Sequence, residues 1–269
     1  MEKIGIAGAS GQLGTSLMRV LDQRAISLSR NSLEIYSVSR IIWAAGTSNS
    51  RCTQIEADAE FEEISTLLRS SDFKQIQKVV LISSGGTVYG SQSNQPRVET
   101  DPLNPESPYA ELKIRIEDEF KKLSVSSGFS LTILRLANVF SSRGKGLVSS
   151  LLRKTNESQP LTLFSHPDSR KQYGHSDDYA RLIIRYLDEL PHLTAPQIYN
   201  LYSPKSYSVS EIIGIFERVR RSHFLVDMSE VSLNSDSVEL ASVFPNYIHA
   251  HNWLSIEDFV QREIERYKE

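Results

Sequence analysis

Cysteine is almost absent from this chain of 269 residues, which contains Cys52 alone. A single cysteine cannot form an intrachain disulfide, and it cannot supply the paired thiolates of a cysteine-based zinc site. The first apolar segment begins at residue 4, which leaves no room for a charged stretch followed by an apolar export signal. These features predict a protein that works in the reducing cytoplasm.

The sequence also lacks long apolar runs and an excess of positive charge. No stretch approaches the roughly 18 apolar residues that a helix needs to span a bilayer. The formal net charge of -3 provides no basic field of the kind that binds phosphate backbones. We therefore expect no membrane and no nucleic acid as a partner, and a small molecule as the ligand.

Short apolar segments alternate along the chain with segments that have helical spacing. Their apolarity is continuous rather than alternating, which is typical of buried parallel strands. The predicted strands are residues 4–7, 25–28, 41–45, 79–82, 131–136 and 198–201. The predicted helices are residues 15–23, 60–69, 109–123 and 177–190. This order predicts an α/β fold with a Rossmann-type, doubly wound parallel sheet.

Two segments compete for the second strand, residues 26–30 and residues 34–40. Parallel neighbours need a crossover of about a dozen residues, but the later segment runs almost directly into the strand at 41–45. We therefore predict the second strand at residues 25–30, followed by a shortened crossover over residues 31–39. A strand that is usual in larger doubly wound domains would then be missing.

Three glycines at three-residue spacing lie where the first strand gives way to a helix. Glycine permits a tight turn and lets backbone N–H groups approach an anion, and the helix dipole favours negative charge there. This position predicts a pyrophosphate cradle rather than a merely structural turn. The expected cofactor contacts in this segment are Gly8, Ser10, Gly11, Gln12, Leu13 and Gly14.

A tyrosine and a lysine lie four residues apart after a predicted helix start at Ser107 and Pro108. A phenol, with a pKa of about 10, is a poor base at neutral pH, but a neighbouring ammonium stabilises its phenolate. Tyr109 beside Lys113 could then exchange a proton with a carbinol. Such a pair is more often a solvated surface pair, and its coexistence with the glycine turn favours catalysis.

Several segments, in order, resemble the extended short-chain dehydrogenase/reductases, and among these the NAD(P)-dependent nucleotide-sugar epimerase/dehydratase family. The matching segments beyond the glycine turn are Trp-Ala-Ala-Gly at 43–46, Ser-Ser-Gly-Gly-Thr-Val-Tyr-Gly at 83–90, Tyr-Ala-Glu-Leu-Lys at 109–113 and Leu-Arg-Leu-Ala-Asn-Val at 134–139. Weaker resemblance continues through residues 170–178 and 199–212. The resemblance implies NAD(P) as the cofactor, a nucleotide sugar as the substrate, and a homodimer packed through the helix that carries Tyr109.

The resemblance also implies a role for individual residues. Tyr109 would be the acid/base, Lys113 would hold the nicotinamide ribose, and Thr87 or Ser84 would supply a second catalytic hydroxyl. The implied cofactor contacts outside the glycine turn are Ala44, Ala45, Gly46, Ser83, Tyr109, Lys113 and Leu136. The implied substrate contacts are Thr87, Asn138, Arg170 and Lys171. No metal site is predicted, because His166, His175 and the Asp177-Asp178 pair lack a further ligand at convincing spacing, and an aspartate there is expected to cap a helix.

The sequence departs from the family pattern at three places. Gly85 occupies the position of the usual catalytic serine or threonine, so that the hydroxyl must come from elsewhere. Thr87 is favoured over Ser84 for this role, and strand-end capping by these hydroxyls is the alternative. The usual Gly-Pro of the substrate loop is Ser-Ser at 141–142, and Lys171 stands where arginine is common. Contact of a diphosphate with Arg170 or Lys171 and simple solvation of these side chains stay equally open.

Cofactor choice depends on the end of the second strand. The predicted strand ends in Ser29 and Arg30, without the acidic residue that accepts hydrogen bonds from a ribose diol. Arginine instead favours a 2′-phosphate, so that NADP is slightly favoured over NAD. A surface arginine without a ligand is the alternative.

Together these features predict an NAD(P)-dependent epimerase or ketoreductase that acts on a nucleotide-linked sugar. A reductase of another small carbonyl compound and a noncatalytic NAD(P) sensor are the alternatives. A 4,6-dehydratase is disfavoured, because its acid pair would fall on Gly86 and Thr87, unless the 91–106 loop brings Glu99 or Asp101 inward. We expect residues 1–140 to form mainly the NAD(P)-binding part and residues 141–269 mainly a substrate-binding lobe, from which late segments can return to the Rossmann sheet.

Overall fold

The central feature of the fold is a parallel sheet of six strands. The computed structural model describes residues 2–28, 37–90, 95–144, 146–154, 160–221, 223–231, 237–243 and 247–266. The strands of the sheet are β1 (Ile4–Ala7), β2 (Ala25–Leu28), β3 (Arg40–Trp43), β4 (Lys78–Ser84), β5 (Ser130–Leu136) and β9 (Gln197–Leu201). Their order is β2-β1-β3-β4-β5-β9, and all neighbours are parallel. The predicted doubly wound fold is confirmed.

Helices cover both faces of this sheet. The helices are α1 (Gln12–Leu21), α2 (Gln54–Ser70), α3 (Gly85–Val88), α4 (Pro108–Ser127), α5 (Leu147–Arg153), α6 (Ser176–Glu189), α7 (Val209–Arg220) and α8 (Ile256–Arg266), and a short 3-10 turn covers Asp22–Arg24. The pair α1 and α6 packs with one face of the sheet, and α2 and α4 pack with the other. None of the helices in the described ranges is both long and apolar enough to cross a membrane.

The second strand lies at the earlier of its two candidate segments. Ala25 of β2 pairs with Ile4 of β1, and β3 pairs on the other side of β1. The strand prediction is therefore confirmed for residues 25–28. Residues 29–36 lie outside the described part of the chain, within which β2 is the edge strand.

Local capping explains where the main helices begin. Ser107 accepts a hydrogen bond from the backbone N–H of Ala110 and precedes a proline, as predicted for the start of α4. Thr53 and Glu56 form a reciprocal capping box at the start of α2. This capping box starts the helix at Gln54, six residues before the start predicted at residue 60.

A smaller set of strands and helices follows β5. The strand β8 (Arg170–His175) pairs with β6 (Asn138–Phe140) and with β10 (Ser206–Ser208), whereas β7 (Leu161–Thr162) pairs with β11 (Val226–Asp227). Apolar side chains of α5, α7 and α8 form a core of their own beneath these strands. The chain returns to the central sheet between these segments, because β9 pairs with β5.

A buried ion pair connects α4 to the sheet. The Glu117 carboxylate accepts hydrogen bonds from Arg135 Nε at 3.0 Å and from a terminal guanidinium nitrogen at 2.7 Å. The Ser83 hydroxyl donates to the same carboxylate at 2.6 Å, and Arg135 also donates to the Tyr89 hydroxyl at 2.9 Å. Burial raises the pKa of Tyr89, whose protonated hydroxyl donates to Asn200. Each charged group and each hydroxyl of this network therefore has a hydrogen-bond partner.

We expect Glu117→Gln to lower the free energy of unfolding by about 3 kcal/mol or more, because the substitution leaves Arg135 as an uncompensated buried charge. Thermal melting of the purified protein measures this loss. Glu119→Gln is the matched control, because Glu119 lies on the same helix and pairs with the largely exposed Lys122. The control should change stability by less than about 0.5 kcal/mol. Equal melting temperatures for both variants would contradict the assigned role of the pair.

Candidate active site

Two glycines of the β1–α1 turn lie where no side chain fits. A Cβ on Gly14 would overlap the carbonyl oxygen of Gly8. Gly8 itself has a φ of +84°, and a Cβ there would lie 2.6 Å from the carbonyl oxygen of Ala44. Gly11 caps α1 without a side chain, so that the N–H groups of the first helical turn remain available to an anion. This geometry fits the pyrophosphate of a dinucleotide.

The remaining residues predicted near this turn take different positions. Ser10 is exposed at the turn and Leu13 is half-buried on α1. Gln12 donates from Nε2 to the carbonyl oxygen of Val139 at 3.3 Å, which connects the turn to the segment after β5. Leu136 is buried at the end of β5, in register with Ser84. Arg30 lies outside the described residues.

A cavity opens beside the glycine turn, between the ends of β1, β2 and β3 and the helix α2. It encloses about 410 Å³ of empty space, part of which is open to solvent. The lining residues are Ala7, Gly8, Leu28, Trp43, Ala45, Gly46, Thr47, Glu60, Glu63, Ile64 and Leu67. Its mainly apolar wall suits a flat aromatic base. The two carboxylates in the wall, Glu60 and Glu63, were not predicted from the sequence as site residues.

Tyr109 and Lys113 project from one side of α4, and both side chains are half-buried. Lys113 Nζ lies 5.3 Å from the centroid of the Tyr109 ring. The same ammonium lies 3.4 Å from the point where a Cβ on Gly46 would be. The structure thus brings the predicted tyrosine and lysine next to the loop after β3, which borders the cavity.

Two hydroxyls remain at the end of β4 as candidates for the second catalytic group. Thr87 Oγ1 donates to Ser84 Oγ at 2.9 Å, whereas the Ser83 hydroxyl is directed to the buried Glu117. A side chain at Gly85 would force neighbouring atoms to shift, because its Cβ would overlap Leu240 Cδ1 and lie 3.0 Å from the carbonyl oxygen of Arg135. The glycine at the usual hydroxyl position therefore has a packing reason, which only the tertiary structure shows.

The predicted substrate contacts lie in the smaller set of strands. Asn138 donates from Nδ2 to the carbonyl oxygen of Gln172 at 3.2 Å and so connects β6 to β8. Arg170 pairs with Glu211 at 2.6 Å and donates to the carbonyl oxygen of Ser206. Lys171 is the next residue of β8 and extends from the opposite face of the strand. One diphosphate therefore does not contact both basic side chains in this arrangement.

The carboxylates of the 91–106 loop that are described face other partners. Glu99 accepts hydrogen bonds from the backbone N–H of Asn200 at 2.8 Å and of Val243 at 3.0 Å. Asp101 accepts one from the backbone N–H of Val98 at 3.1 Å. Residues 91–94 lie outside the described ranges and include no acid. Both described carboxylates thus accept hydrogen bonds from backbone N–H groups.

The histidine and aspartates around residue 175 cap and anchor a helix. The expectation that an aspartate caps α6 was wrong, because His175 Nδ1 accepts the hydrogen bond from the Asp177 N–H at 3.3 Å. Burial lowers the pKa of His175, which is consistent with a neutral ring that accepts a hydrogen bond. Asp177 accepts from Ser16, and Asp178 accepts from the N–H of Leu254. Among the described residues, no three potential ligands converge on a metal position.

Comparison with known sequences identifies relatives of this chain. The NAD dependent epimerase/dehydratase family matches residues 34–201, which is more than half of the chain. UDP-glucose 4-epimerase of Bacillus subtilis strain 168 is 26% identical over 162 residues, which make up 53% of this chain and 48% of that protein. The chain thus spans about half the length of this curated relative.

Comparison with solved structures extends the likeness to the whole fold. MoeE5 in complex with UDP-glucose and NAD aligns with a TM-score of 0.85 at 16% identity, and the alignment covers 99% of this chain and 100% of the other. TunA, described as an NAD-dependent NDP-hexosamine 5,6-dehydratase, aligns with a TM-score of 0.81 at 17% identity. This alignment covers 100% of this chain and 98% of TunA. At these identities the likeness shows a shared fold, on which different reactions occur. On the family match, the chain belongs to the NAD dependent epimerase/dehydratase family.

Proposed function

We propose that this protein transfers hydride between a nicotinamide cofactor and a ring carbinol of a nucleotide-linked sugar, with epimerisation or reduction as the net result. The proposal rests on the position of Lys113, which lies near the Tyr109 ring and near Gly46, in the wall of the cavity beside the glycine turn. The names of a relative, UDP-glucose 4-epimerase, and of a structural neighbour with bound UDP-glucose and NAD support the substrate class.

The proposed chemistry gives each side chain one task. The Tyr109 hydroxyl removes the proton of a carbinol, or returns it to a carbonyl, during the redox step. Lys113 holds the nicotinamide ribose and places a positive charge near the Tyr109 ring. The linked hydroxyls of Thr87 and Ser84 can hold the reacting sugar oxygen in place. When bound, the nicotinamide ring accepts the hydride or returns it, and the protein aligns the reactants.

We also propose a division of binding between the two parts of the chain. Residues 1–140 mainly bind the dinucleotide, through the glycine turn and the neighbouring cavity. Residues 141–269 mainly bind the sugar nucleotide. A diphosphate that contacts Arg170 would compete with the ion pair between Arg170 and Glu211.

Tyr109→Phe should reduce turnover by about a hundredfold or more and leave the dissociation constant of the cofactor within twofold, because only the acid/base hydroxyl is removed. Steady-state rates with UDP-glucose and calorimetric binding of NAD measure the two quantities. Tyr247→Phe is the control, because Tyr247 stacks with Arg185 on another part of the surface. Near-normal turnover of a folded Tyr109→Phe protein would exclude this role.

The mass of the product should distinguish the possible reactions. Incubation with cofactor and a panel of UDP-, GDP- and dTDP-sugars should give a stereoisomer of unchanged mass, or a reduced product that gains two hydrogens. We expect no product that is lighter by one water, because Gly86 and Thr87 carry no carboxylate. Glu99 already accepts hydrogen bonds from the backbone N–H groups of Asn200 and Val243. A 4-keto-6-deoxy sugar among the products would overturn this assignment.

Preference for NADP over NAD rests on Arg30 alone and stays a prediction. If Arg30 contacts a 2′-phosphate, Arg30→Ala should weaken NADPH binding by about tenfold, the size of one charge-assisted hydrogen bond. NADH binding should stay within twofold and serves as the internal control. Equal affinity of the wild type and Arg30→Ala for NADPH would exclude the contact.

A further inference from the structure

Glu60 is a buried carboxylate of which only one oxygen has partners. Its side chain extends from α2 and the residue is 5% exposed. Oε2 accepts hydrogen bonds from the Thr47 N–H at 3.0 Å, the Thr47 hydroxyl at 2.9 Å and the Ser48 N–H at 2.6 Å. Oε1 has no hydrogen-bond partner among the described residues. A buried acceptor without a partner is costly, which makes this oxygen a candidate for a ligand contact.

The unpartnered oxygen and the Lys113 ammonium border the same small space. Oε1 lies 2.9 Å, and Lys113 Nζ 3.4 Å, from the point that a Cβ on Gly46 would occupy. Glycine places no side chain between these two atoms, and both Gly46 and Glu60 line the cavity beside the glycine turn. Because both atoms flank Gly46, a ligand group in the cavity that packs against this glycine can meet a hydrogen-bond acceptor from α2 and a donor from α4.

The charge of Glu60 limits what that group can be. Burial acts to raise the pKa of Glu60, but hydrogen bonds from Ser48 and Thr47 and the charge of Lys113 outweigh it, so that the pKa lies below its usual value. The ionised carboxylate disfavours a phosphate at this point. A sugar hydroxyl, in contrast, can donate to Glu60 and accept from Lys113 at the same time.

We propose that Glu60 is a positioning residue of the cofactor site, whose Oε1 accepts a hydrogen bond from the ribose hydroxyls of the dinucleotide on its nicotinamide side. This inference rests on the proposed function, because the assignment to the nicotinamide side follows from the place of Lys113 beside Tyr109. Glu60 holds the loop after β3 with Oε2 and the ribose with Oε1. It thereby sets the distance between the loop and the bound cofactor.

The test compares two nucleotides on the wild type and on Glu60→Gln by titration calorimetry. NAD contains the ribose in question, whereas ADP lacks it. Glu60→Gln should weaken NAD binding by at least about tenfold and change ADP binding by less than about twofold. Glu62→Gln is the matched control, because Glu62 lies on the same helix and is exposed but is not among the residues that line the cavity. The control should bind both nucleotides like the wild type.

The melting temperature of the ligand-free protein separates binding from folding. A purely structural Glu60 would lower this temperature on substitution and weaken NAD and ADP alike, and that result would overturn the inference. Unchanged NAD affinity would overturn it as well. If Glu60→Gln does not fold, Glu60→Asp supplies the same comparison, because it retains the charge and draws the oxygens back by one methylene. Failure of the wild type to bind either NAD or NADP would overturn the proposed function together with this inference.

Discussion

The ion pair between Glu117 and Arg135 fixes the helix α4 against the strands that end at the candidate active site. Two charges leave water completely at this point, and such burial is tolerated only where geometry is good and the remaining polar positions are satisfied. Ser83 supplies one of these contacts. Since Tyr109, Lys113 and Glu117 follow one another at four-residue intervals, they share one side of α4. Anchoring Glu117 therefore sets the rotation of the helix, and with it the direction in which the other two side chains point.

Close backbone packing shapes the other half of the site. Gly14 allows α1 to begin against the carbonyl of Gly8, and Gly85 allows α3 to begin against Leu240. A side chain at either position would crowd these neighbours, and on the proposed function the chemistry comes from residues that flank the glycines. At the end of β4 these are the hydroxyls of Ser84 and Thr87, which are already joined by a hydrogen bond. At Gly46, too, a side chain is absent, and the Glu60 carboxylate and the Lys113 ammonium both lie close to this glycine.

Local signals were sufficient to predict the six strands of the central sheet and the start of α4, because apolar runs and a Ser-Pro cap involve only neighbouring residues. The glycine spacing likewise indicated the turn after β1. They were not sufficient for contacts between distant segments. Glu117 could have been noticed, since it repeats the spacing of Tyr109 and Lys113, but its partner lies on β5 and is found only in three dimensions. Glu60 gave no local sign of burial on a helix rich in acids. Leu240 comes from a segment more than a hundred residues away from Gly85.

The central claim is that Tyr109 and Lys113 serve a hydride transfer on a bound nucleotide sugar. Single-turnover absorbance measurement with stoichiometric NAD tests it most directly, since reduced nicotinamide has its own absorption band. On mixing the wild type with NAD and UDP-sugars, we expect this band to appear, and to return towards the baseline if the reaction is an epimerisation. Lys113→Met, which removes the ammonium but keeps the apolar stem, should slow its appearance by about a hundredfold. The account would be contradicted by the absence of this band with both NAD and NADP for every sugar nucleotide that demonstrably binds, or by an equal rate in Lys113→Met.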